Sequence, residues 1–375
     1  MAGLYIHVPF CARRCVYCDF YSNTDRSLVA PYIEALIREM ELREDYLNGE
    51  AIETIYLGGG TPSLLREADL DRLFKAIDRL YGLGDAKEIT IEGNPDDLHP
   101  DYVAQLKHLP INRISMGIQS FHDDDLRLLN RRHSAQQAIE AVVNCVKAGL
   151  ENISIDLIYG LPGQTPERWA KNLDTAISLQ VPHLSAYHLT YEKGTPLDRM
   201  REAGQITPID EDTSLILFGQ LIDQLGKAGY EHYEISNFAR PNRYSRHNSS
   251  YWQGIPYIGL GPSAHSYDKK SRQWNIASIG SYIKAIQEGQ LPFEREELSV
   301  HDQYDDYIIT RTRTSWGLNP SEILTLFGQA YHDYFMCQAT KAQTKGLLEI
   351  HDGNFRLTRA GIFISDSVMV ELLSE

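Results

Sequence analysis

Hydrophobic and polar positions form two repeating patterns in the first half of the chain. Short apolar runs that stop at glycine, proline or polar residues predict buried strands. Longer segments between them have apolar residues every three or four positions, which predicts amphipathic helices. Strands that alternate with helices form a parallel sheet, and right-handed crossovers curl it into a full or partial (βα)6 barrel. The first predicted strand ends at Pro9, and the others cover Ile52–Leu57, Glu88–Glu92, Arg113–Ile118, Asn152–Leu157 and His183–Leu189.

The pattern changes after about residue 200, which predicts three regions: residues 1–200, 201–300 and 301–375. The middle region has a helix at 210–227, a strand at 230–235 and then an aromatic and glycine-rich stretch without a clear period. In the last region, helical segments precede two short strands joined by a turn at His351–Asn354. Helices followed by such a hairpin predict a small winged-helix-like domain. Because this domain is not notably basic, partner docking or a lid role is favoured over DNA binding.

Charge and hydropathy exclude several classes of function. The chain of 375 residues has a formal net charge of -15, which argues against general binding to nucleic acid phosphates. No run approaches the roughly 20 apolar residues of a membrane span. The first residues lack the pattern of a secretion signal, since Cys11 and two arginines interrupt the apolar run. We therefore expect a cytoplasmic protein, in a compartment where thiols stay reduced.

A dense group of cysteines follows the first strand. Cys11, Cys15 and Cys18 occupy one loop, and three thiolates in one loop can hold a four-iron cluster with one iron left open. A structural zinc ion needs a fourth ligand, which His7 or Asp19 would have to supply. A disulfide framework is typical of small secreted proteins, and this chain is long. The two remaining cysteines, at 145 and 337, are predicted to be buried apolar residues.

Polar residues also follow the other predicted strands, at the edge where (βα) barrels place their chemistry. The glycines of Gly58–Thr61 allow backbone groups to approach a ligand closely. Glu92 can accept hydrogen bonds from a ribose or an ammonium group, and Asp156 suits a ribose diol. Gln119 offers a donor and an acceptor, and Arg131 can bind a carboxylate through two hydrogen bonds. Each of these residues alone is more often a solvated side chain or a loop contact.

The C-x3-C-x2-C spacing, followed by an aromatic residue at Phe20, resembles the cluster loop of radical S-adenosylmethionine (SAM) proteins. In that family three cysteines hold a [4Fe-4S] cluster, SAM binds the open iron, and an electron cleaves SAM to methionine and a 5'-deoxyadenosyl radical. The resemblance implies that Cys11, Cys15 and Cys18 hold the cluster. Over residues 3–300 the motifs are similar to those of the oxygen-independent coproporphyrinogen III oxidase group. That similarity implies these SAM-binding residues: Tyr5, Gly59, Gly60, Thr61, Glu92, Gln119, Arg131 and Asp156.

Two departures from those oxidases point to another branch of the group. The oxidases carry a further cysteine where this chain has Phe20, and they have an N-terminal extension before the first strand. In addition, Arg246–Trp252 contains the sequence H-N-x-x-Y-W, which resembles the signature of HemW-type heme chaperones. A histidine can bind heme iron, and aromatic rings can cover a macrocycle. The resemblance implies heme contacts by His247, Asn248, Tyr251 and Trp252, although a lone histidine is more often a structural residue.

The sequence therefore predicts a heme chaperone that binds heme, transfers it to an apo-hemoprotein and retains a SAM-binding [4Fe-4S] core. The resemblance implies that SAM cleavage is regulatory or coupled to heme transfer and that a reduced flavodoxin or ferredoxin supplies the electrons. The main alternative is an enzyme, a radical SAM coproporphyrinogen III oxidase that acts on propionate side chains. A third alternative is a zinc-stabilised barrel that acts only as a binding module.

Overall fold

The computed structural model describes residues 1–374 and begins with six strands that alternate with helices. The strands are β1 (Ala2–Val8), β2 (Ile52–Gly59), β3 (Glu88–Gly93), β4 (Arg113–Gln119), β5 (Ile153–Tyr159) and β6 (His183–His188). The helices between them are α1 (Val29–Leu42), α2 (Glu67–Tyr81), α3 (Pro100–Leu106), α4 (Asp123–Leu128), α5 (Ala135–Lys147) and α6 (Pro166–Ser178). All six strands are parallel and neighbour one another in chain order, which confirms the predicted (βα)6 arrangement.

The sheet remains open, because its two outer parallel strands each pair with a further strand. The chain after β6 forms α7 (Pro196–Glu202), α8 (Glu211–Lys227), β7 (Glu231–Glu234), β8 (Asn237–Ala239), α9 (Arg246–Trp252), β9 (Tyr257–Leu260), β10 (His265–Tyr267), β11 (Ser271–Asn275), α10 (Ile279–Gln287) and β12 (Phe293–Glu297). The parallel strand β9 lies on the other side of β1, and the antiparallel strand β8 lies beside β6. The full sheet has twelve strands in the order β12-β11-β10-β9-β1-β2-β3-β4-β5-β6-β8-β7. Strands from residues 201–300 thus extend the sheet that residues 1–200 begin.

Alternating side chains on the strands separate two environments. On β1, Leu4, Ile6 and Val8 are fully buried and belong to the hydrophobic core that the helices share. Side chains of a strand point alternately to its two faces, so Tyr5 and His7 lie on the opposite, inner face of the curved sheet. This inner face carries polar and aromatic side chains, and the candidate site is built on it.

The C-terminal region has a hydrophobic core of its own. It comprises α11 (Val300–Thr312), α12 (Pro320–Phe327), α13 (Gln329–Thr344), β13 (Leu348–His351), β14 (Asn354–Leu357), α14 (Arg359–Phe363) and α15 (Ser365–Leu372). Its core includes Tyr304, Ile308, Phe335, Leu348 and Phe355. The helices followed by an antiparallel hairpin agree with the predicted winged-helix-like arrangement.

Two expectations about single features can be compared with the described residues. No helix within residues 1–374 is both long and apolar enough to span a membrane. Cys145 is buried as predicted, but Cys337 is exposed, so the prediction for Cys337 was wrong. Its helix, α13, buries Phe335, Ala339 and Ala342, and this spacing leaves position 337 on the outer face.

A buried carboxylate joins α1 to the part of the sheet beyond β1. Glu39 accepts hydrogen bonds from Arg43 at 3.2 Å, from the amide of Gly261 at 2.8 Å, from Asn275 at 2.7 Å and from the hydroxyl of Tyr282 at 2.6 Å. The side chains of Glu39 and Arg43 are 0% and 3% exposed. A buried charge is tolerated when paired and hydrogen-bonded, so this carboxylate fixes the position of the strands after β9.

We expect the substitution Glu39→Gln to lower the free energy of unfolding by about 3 kcal/mol, because it leaves the buried guanidinium of Arg43 without its counter-charge. Urea denaturation followed by circular dichroism measures this change. The matched control is Glu41→Gln, on the same helix, since Glu41 pairs with Arg38 and Arg79 at the surface. The control is expected to change the free energy by less than about 1 kcal/mol. Equal losses in the two variants would contradict the structural role of Glu39.

Candidate functional site

A cavity of about 470 Å³ opens at the carboxyl ends of the parallel strands. It brings together the cysteine loop after β1, the glycine loop after β2 and polar residues from β3, β4 and β5. The sequence-predicted residues that line it are Cys11, Cys15, Cys18, Gly59, Gly60, Thr61, Glu92, Gln119, Arg131 and Asp156. Residues separated by up to 145 positions in the chain thus share one cavity.

Strand pairing places the cysteine loop directly beside the glycine loop. Val8, at the end of β1, pairs with Gly59, at the end of β2, and the amide of Gly60 donates to the carbonyl of Val8 at 2.8 Å. A Cβ atom on Gly60 would lie 2.7 Å from the carbonyl oxygen of Phe10. Gly59 adopts φ +104°, which side chains rarely allow, and a Cβ there would lie 2.5 Å from the ring of His7. Glycine is therefore required at both positions for the loops to meet.

Backbone hydrogen bonds close the cysteine loop at its base and hold it at its middle. The amide of Cys11 donates to the carbonyl of Asn23 at 2.9 Å, which closes the base of the loop. The amide of Leu197 donates to the carbonyl of Val16 at 2.9 Å. Leu197 also belongs to a small apolar cluster of Leu129, Ile158, Leu161 and Leu189, against which Val16 and Tyr17 pack. The segment after β6 therefore holds the middle of the loop in place.

The three cysteines line the same cavity, and two of their thiols have polar neighbours. The guanidinium of Arg131 donates to Sγ of Cys15 at 3.2 Å, and the hydroxyl of Thr61 donates to Sγ of Cys11 at 3.6 Å. Burial raises the pKa of Cys11, and it raises the pKa of Cys18 to about 11. Because iron binds the thiolate, Cys11 and Cys18 need a cation at the site to release their protons near neutral pH.

The arrangement of ligands favours a cluster over a single zinc ion. Among residues 1–374, no three histidine, cysteine or acidic side chains converge closely enough to hold one metal ion. His7, the candidate fourth zinc ligand, is 4% exposed, and its two ring nitrogens bond to the hydroxyl of Tyr5 at 3.1 Å and to the carbonyl of Tyr21 at 3.0 Å. A four-iron cluster spreads its ligands over separate iron atoms, so three thiols around a common cavity fit it.

Two carboxyl groups form the floor of the cavity. Glu92 accepts a hydrogen bond from the hydroxyl of Tyr56 at 2.8 Å and from the amide of Gly59 at 3.1 Å. Burial raises the pKa of Glu92 to about 7, although both hydrogen bonds oppose that shift. Burial also raises the pKa of Asp156 to about 6, against an opposing hydrogen bond from Ser185. These two groups are the acidic residues of the site that change charge near neutral pH.

Gln119 and Arg131 form the wall of the cavity beside β4. Gln119 ends this strand with φ +69°, in the left-handed region that costs a non-glycine residue about 1–3 kcal/mol. The guanidinium of Arg131 donates to the side chain of Asn94 and to the carbonyl of Gly117. Its Nε atom is buried and has no partner within the described chain. Arg131 is therefore held at the cavity wall with one donor group unsatisfied.

Sequence reasoning did not single out several residues that line the cavity. Asn94 follows β3, and Tyr187 and His188 end β6. The signal that identified Glu92 and Asp156, a polar residue at the end of a parallel strand, applies to these residues as well. None of these three residues belongs to a motif that resembles a known cofactor-binding sequence.

Tyr5 is the one predicted SAM-binding residue that does not line the cavity. It lies nearer the middle of β1, where its hydroxyl bonds to His7 at 3.1 Å and its ring lies 6.2 Å from that of Tyr56. The structure therefore places Tyr5 below the cavity, and its predicted contact with SAM is not supported by this position.

The H-N-x-x-Y-W segment lies at the opposite end of the parallel strands, in α9. The side chain of Ser245 accepts a hydrogen bond from the amide of Asn248. Glu88, at the start of β3, accepts hydrogen bonds from the amides of Arg246 and His247 at 2.9 Å each. These contacts satisfy the first amides of the helix. The amino end of the sheet thus fixes where α9 begins.

His247, one of the residues expected to contact heme, is enclosed by the protein, and the heme contact stays a prediction. The residue is 1% exposed, with Nδ1 bonded to the hydroxyl of Thr54 and Nε2 to the hydroxyl of Tyr251, each at 2.8 Å. Burial lowers the pKa of His247 to about 3, so the ring is neutral. An iron atom would have to displace one of these hydrogen bonds inside the protein. Asn248 and Trp252, in contrast, keep part of their surface exposed.

Comparisons with known proteins agree with this architecture. Residues 5–176 match the model of the radical SAM superfamily, and residues 298–364 match the HemN C-terminal domain. A solved structure of coproporphyrinogen III oxidase (HemN) from Escherichia coli superposes with a TM-score of 0.86 at 24% identity. The match covers 100% of this chain and 90% of that one. At this identity the similarity establishes the fold.

Curated relatives match between 70% and the whole length of the chain. The heme chaperone HemW of Mycobacterium tuberculosis is 33% identical over 99% of this chain and 94% of its own. HemW of Bacillus subtilis is 32% identical over 100% of both chains, and HemW of Escherichia coli is 37% identical over 70% of this chain and 69% of its own. The chain therefore belongs to the HemW family of radical SAM proteins.

Proposed function

We propose that this protein is a heme chaperone that binds heme and transfers it to apo-hemoproteins, with a SAM-binding [4Fe-4S] core. The observation that carries the proposal is the 33% identity to a heme chaperone over 99% of the chain, which includes the C-terminal region. Phe20, which lines the cavity and is 64% exposed, agrees with it, because the oxidases resembling this chain carry a cysteine there. A cytoplasmic location and an apo-hemoprotein acceptor are part of the proposal.

In this proposal Cys11, Cys15 and Cys18 hold the cluster. When bound, the cluster supplies an open iron and one electron for the cleavage of SAM. Arg131 stabilises the thiolate of Cys15 through its charge, and the cover formed by the segment after β6 limits access of water. A reduced flavodoxin or ferredoxin is the proposed electron donor. Productive cleavage of SAM would make the protein an enzyme as well as a chaperone.

SAM occupies the cavity in this proposal, between the cysteine loop and the two carboxyl groups. Glu92 and the glycine loop would hold its amino group, and Asp156 would hold its ribose. Arg131 has an unsatisfied donor for a carboxylate. The proposed cavity-lining contacts are Gly59, Gly60, Thr61, Glu92, Gln119, Arg131 and Asp156.

Heme contact at α9 remains a prediction, and the partly exposed residues of this helix support it. Asn248, Tyr251 and Trp252 are the partly exposed members of the motif. The helix also borders a cavity of about 370 Å³ whose wall includes Tyr244, Arg246 and Trp316. Aromatic surface and a cationic side chain suit a flat macrocycle with carboxylate groups.

The cluster assignment predicts the effect of removing a thiol. After anaerobic reconstitution, Cys15→Ala is expected to lose most of its bound iron, because a cluster with two protein ligands is not retained. Iron and sulfide analysis measures this loss. Cys145→Ala, which removes a buried thiol far from the loop, should bind as much iron as the original chain. One equivalent of zinc and no iron in the original chain would overturn the cluster.

The raised pKa of Glu92 predicts that SAM binding depends on pH. With a pKa of about 7, the carboxyl group is mostly protonated at pH 6 and mostly ionised at pH 8. An ammonium group binds the ionised form, so SAM affinity should rise about tenfold over this interval. Equilibrium dialysis of reconstituted protein measures it. In Glu92→Gln the rise in SAM affinity above pH 7 should disappear, and only the rise due to Asp156 should remain. An unchanged pH profile would contradict the role of Glu92 in SAM binding.

The heme proposal predicts saturable binding of hemin and its transfer to an acceptor. Titration of the purified chain should produce a Soret band that saturates at a fixed ratio, and apo-myoglobin added later should gain the heme. The same preparation is expected not to convert coproporphyrinogen III to protoporphyrinogen IX under anaerobic conditions with SAM. Conversion without hemin binding would establish the alternative enzyme.

A further inference from the structure

We propose that the H-N-x-x-Y-W segment supports the SAM site from below, with His247 and Tyr56 as positioning residues for the carboxylate of Glu92. This inference rests on the proposed role of Glu92 in SAM binding. It assigns the buried His247 and the half-buried Tyr251 to the amino end of the sheet instead of to heme.

The first contact in this arrangement is between Tyr56 and Glu92. The hydroxyl of Tyr56 donates to Oε1 of Glu92 at 2.8 Å, while the amide of Gly59 donates to Oε2 at 3.1 Å. These are the carboxylate's two hydrogen bonds within the described chain, and each holds one oxygen atom. Without the hydroxyl of Tyr56, the carboxyl group keeps a single donor and is free to rotate about it.

The second contact is between Tyr56 and His247. Their rings are stacked, with centroids 5.1 Å apart and planes 24° apart. The imidazole is itself fixed at both nitrogens by the hydroxyls of Thr54 and Tyr251. A ring held at both ends is a rigid support, so the position of the Tyr56 ring depends on His247.

The third contact connects the helix to the strands that build the site. Thr54 belongs to β2, whose carboxyl end supplies the glycine loop, and Glu88 begins β3, whose carboxyl end supplies Glu92. Glu88 accepts the amides of Arg246 and His247. α9 therefore bridges the amino ends of the same two strands that place the SAM-binding groups.

The packing around these side chains leaves little room for movement. A Cβ atom on Gly58 would lie 2.8 Å from the ring of Tyr56 and 3.0 Å from Oε1 of Glu92. A Cβ atom on Gly3 would lie 3.3 Å from the hydroxyl of Thr54 and 3.4 Å from the ring of His247. Glycines on β1 and β2 thus make space for this column of side chains. A substitution at His247 therefore shifts Tyr56 and Glu92, because close-packed side chains have little room to adjust.

His183 provides a matched control for His247. It is 0% exposed and lies on β6, with Nδ1 bonded to the hydroxyl of Ser154 and Nε2 to the hydroxyl of Tyr233, each at 2.7 Å. Its chemistry and burial thus match those of His247. It has no hydrogen bond or ring contact with Tyr56 or Glu92 within residues 1–374.

The experiment compares Tyr56→Phe, His247→Phe and His183→Phe as full-length proteins reconstituted anaerobically with the cluster. For each variant, equilibrium dialysis gives the SAM dissociation constant, electron paramagnetic resonance records the change that SAM causes in the reduced cluster, and titration gives the hemin dissociation constant. Tyr56→Phe removes one hydroxyl from a charged acceptor and is expected to weaken SAM binding about tenfold. His247→Phe should weaken it at least threefold, and both should alter the SAM-induced spectrum. His183→Phe should bind SAM within twofold of the original chain, and hemin affinity should stay within twofold in all three.

Three results would overturn this inference, and each one shows whether the proposed SAM site fails with it. If the original chain binds no SAM, the SAM site and the inference both fail. If the original chain binds SAM and Tyr56→Phe binds it equally well, only the inference fails. If His247→Phe loses hemin binding and keeps SAM binding, the motif contacts heme instead. Tyr56→Phe keeps the ring that stacks on His247, so this variant remains informative if the histidine variants fold poorly.

Discussion

The parallel pairing of β1 with strands on both of its sides is the constraint on which the site depends. Hydrogen bonds from β1 to β2 set the register that brings Val8 beside Gly59, and those to β9 attach the later part of the chain to the first strand. Because parallel strands end at a common edge, the loops after β1 and β2 must leave the sheet side by side. Gly59 and Gly60 make that closeness sterically possible. The cysteines and the glycine loop share one cavity for this reason.

The two ends of the strands have different roles in this account. The carboxyl ends carry thiols, carboxyl groups and a guanidinium around an open cavity, which is suited to a cofactor with several kinds of polar group. At the amino ends, the buried side chains of His183 and His247 bond to hydroxyl groups of threonine, serine and tyrosine residues. Buried polar networks of this kind specify a single arrangement of side chains. Precise positions at one end can therefore depend on packing at the other.

Much of the fold and of the cavity was predictable from the sequence, because both follow from local patterns. Apolar runs predicted the six parallel strands within a few residues, and the strand-end rule identified Glu92, Gln119 and Asp156. The hydrophobic periodicity of a strand does not predict how far a side chain lies from the cavity at the strand's end. The resemblance implied that Tyr5 binds SAM and that His247 contacts heme. Hydrogen bonds to His7, Thr54 and Tyr251 instead hold Tyr5 below the cavity and His247 at the amino end of the strands.

The anaerobic crystal structure of the reconstituted chain with SAM and hemin tests this account most directly. It predicts SAM in the cavity between the cysteine loop and Glu92, with the hydrogen bond from Tyr56 to Glu92 retained. It also predicts that His247 remains bonded to Thr54 and Tyr251 while heme lies elsewhere. SAM density outside the cavity, or an iron atom coordinated by His247, would contradict the account.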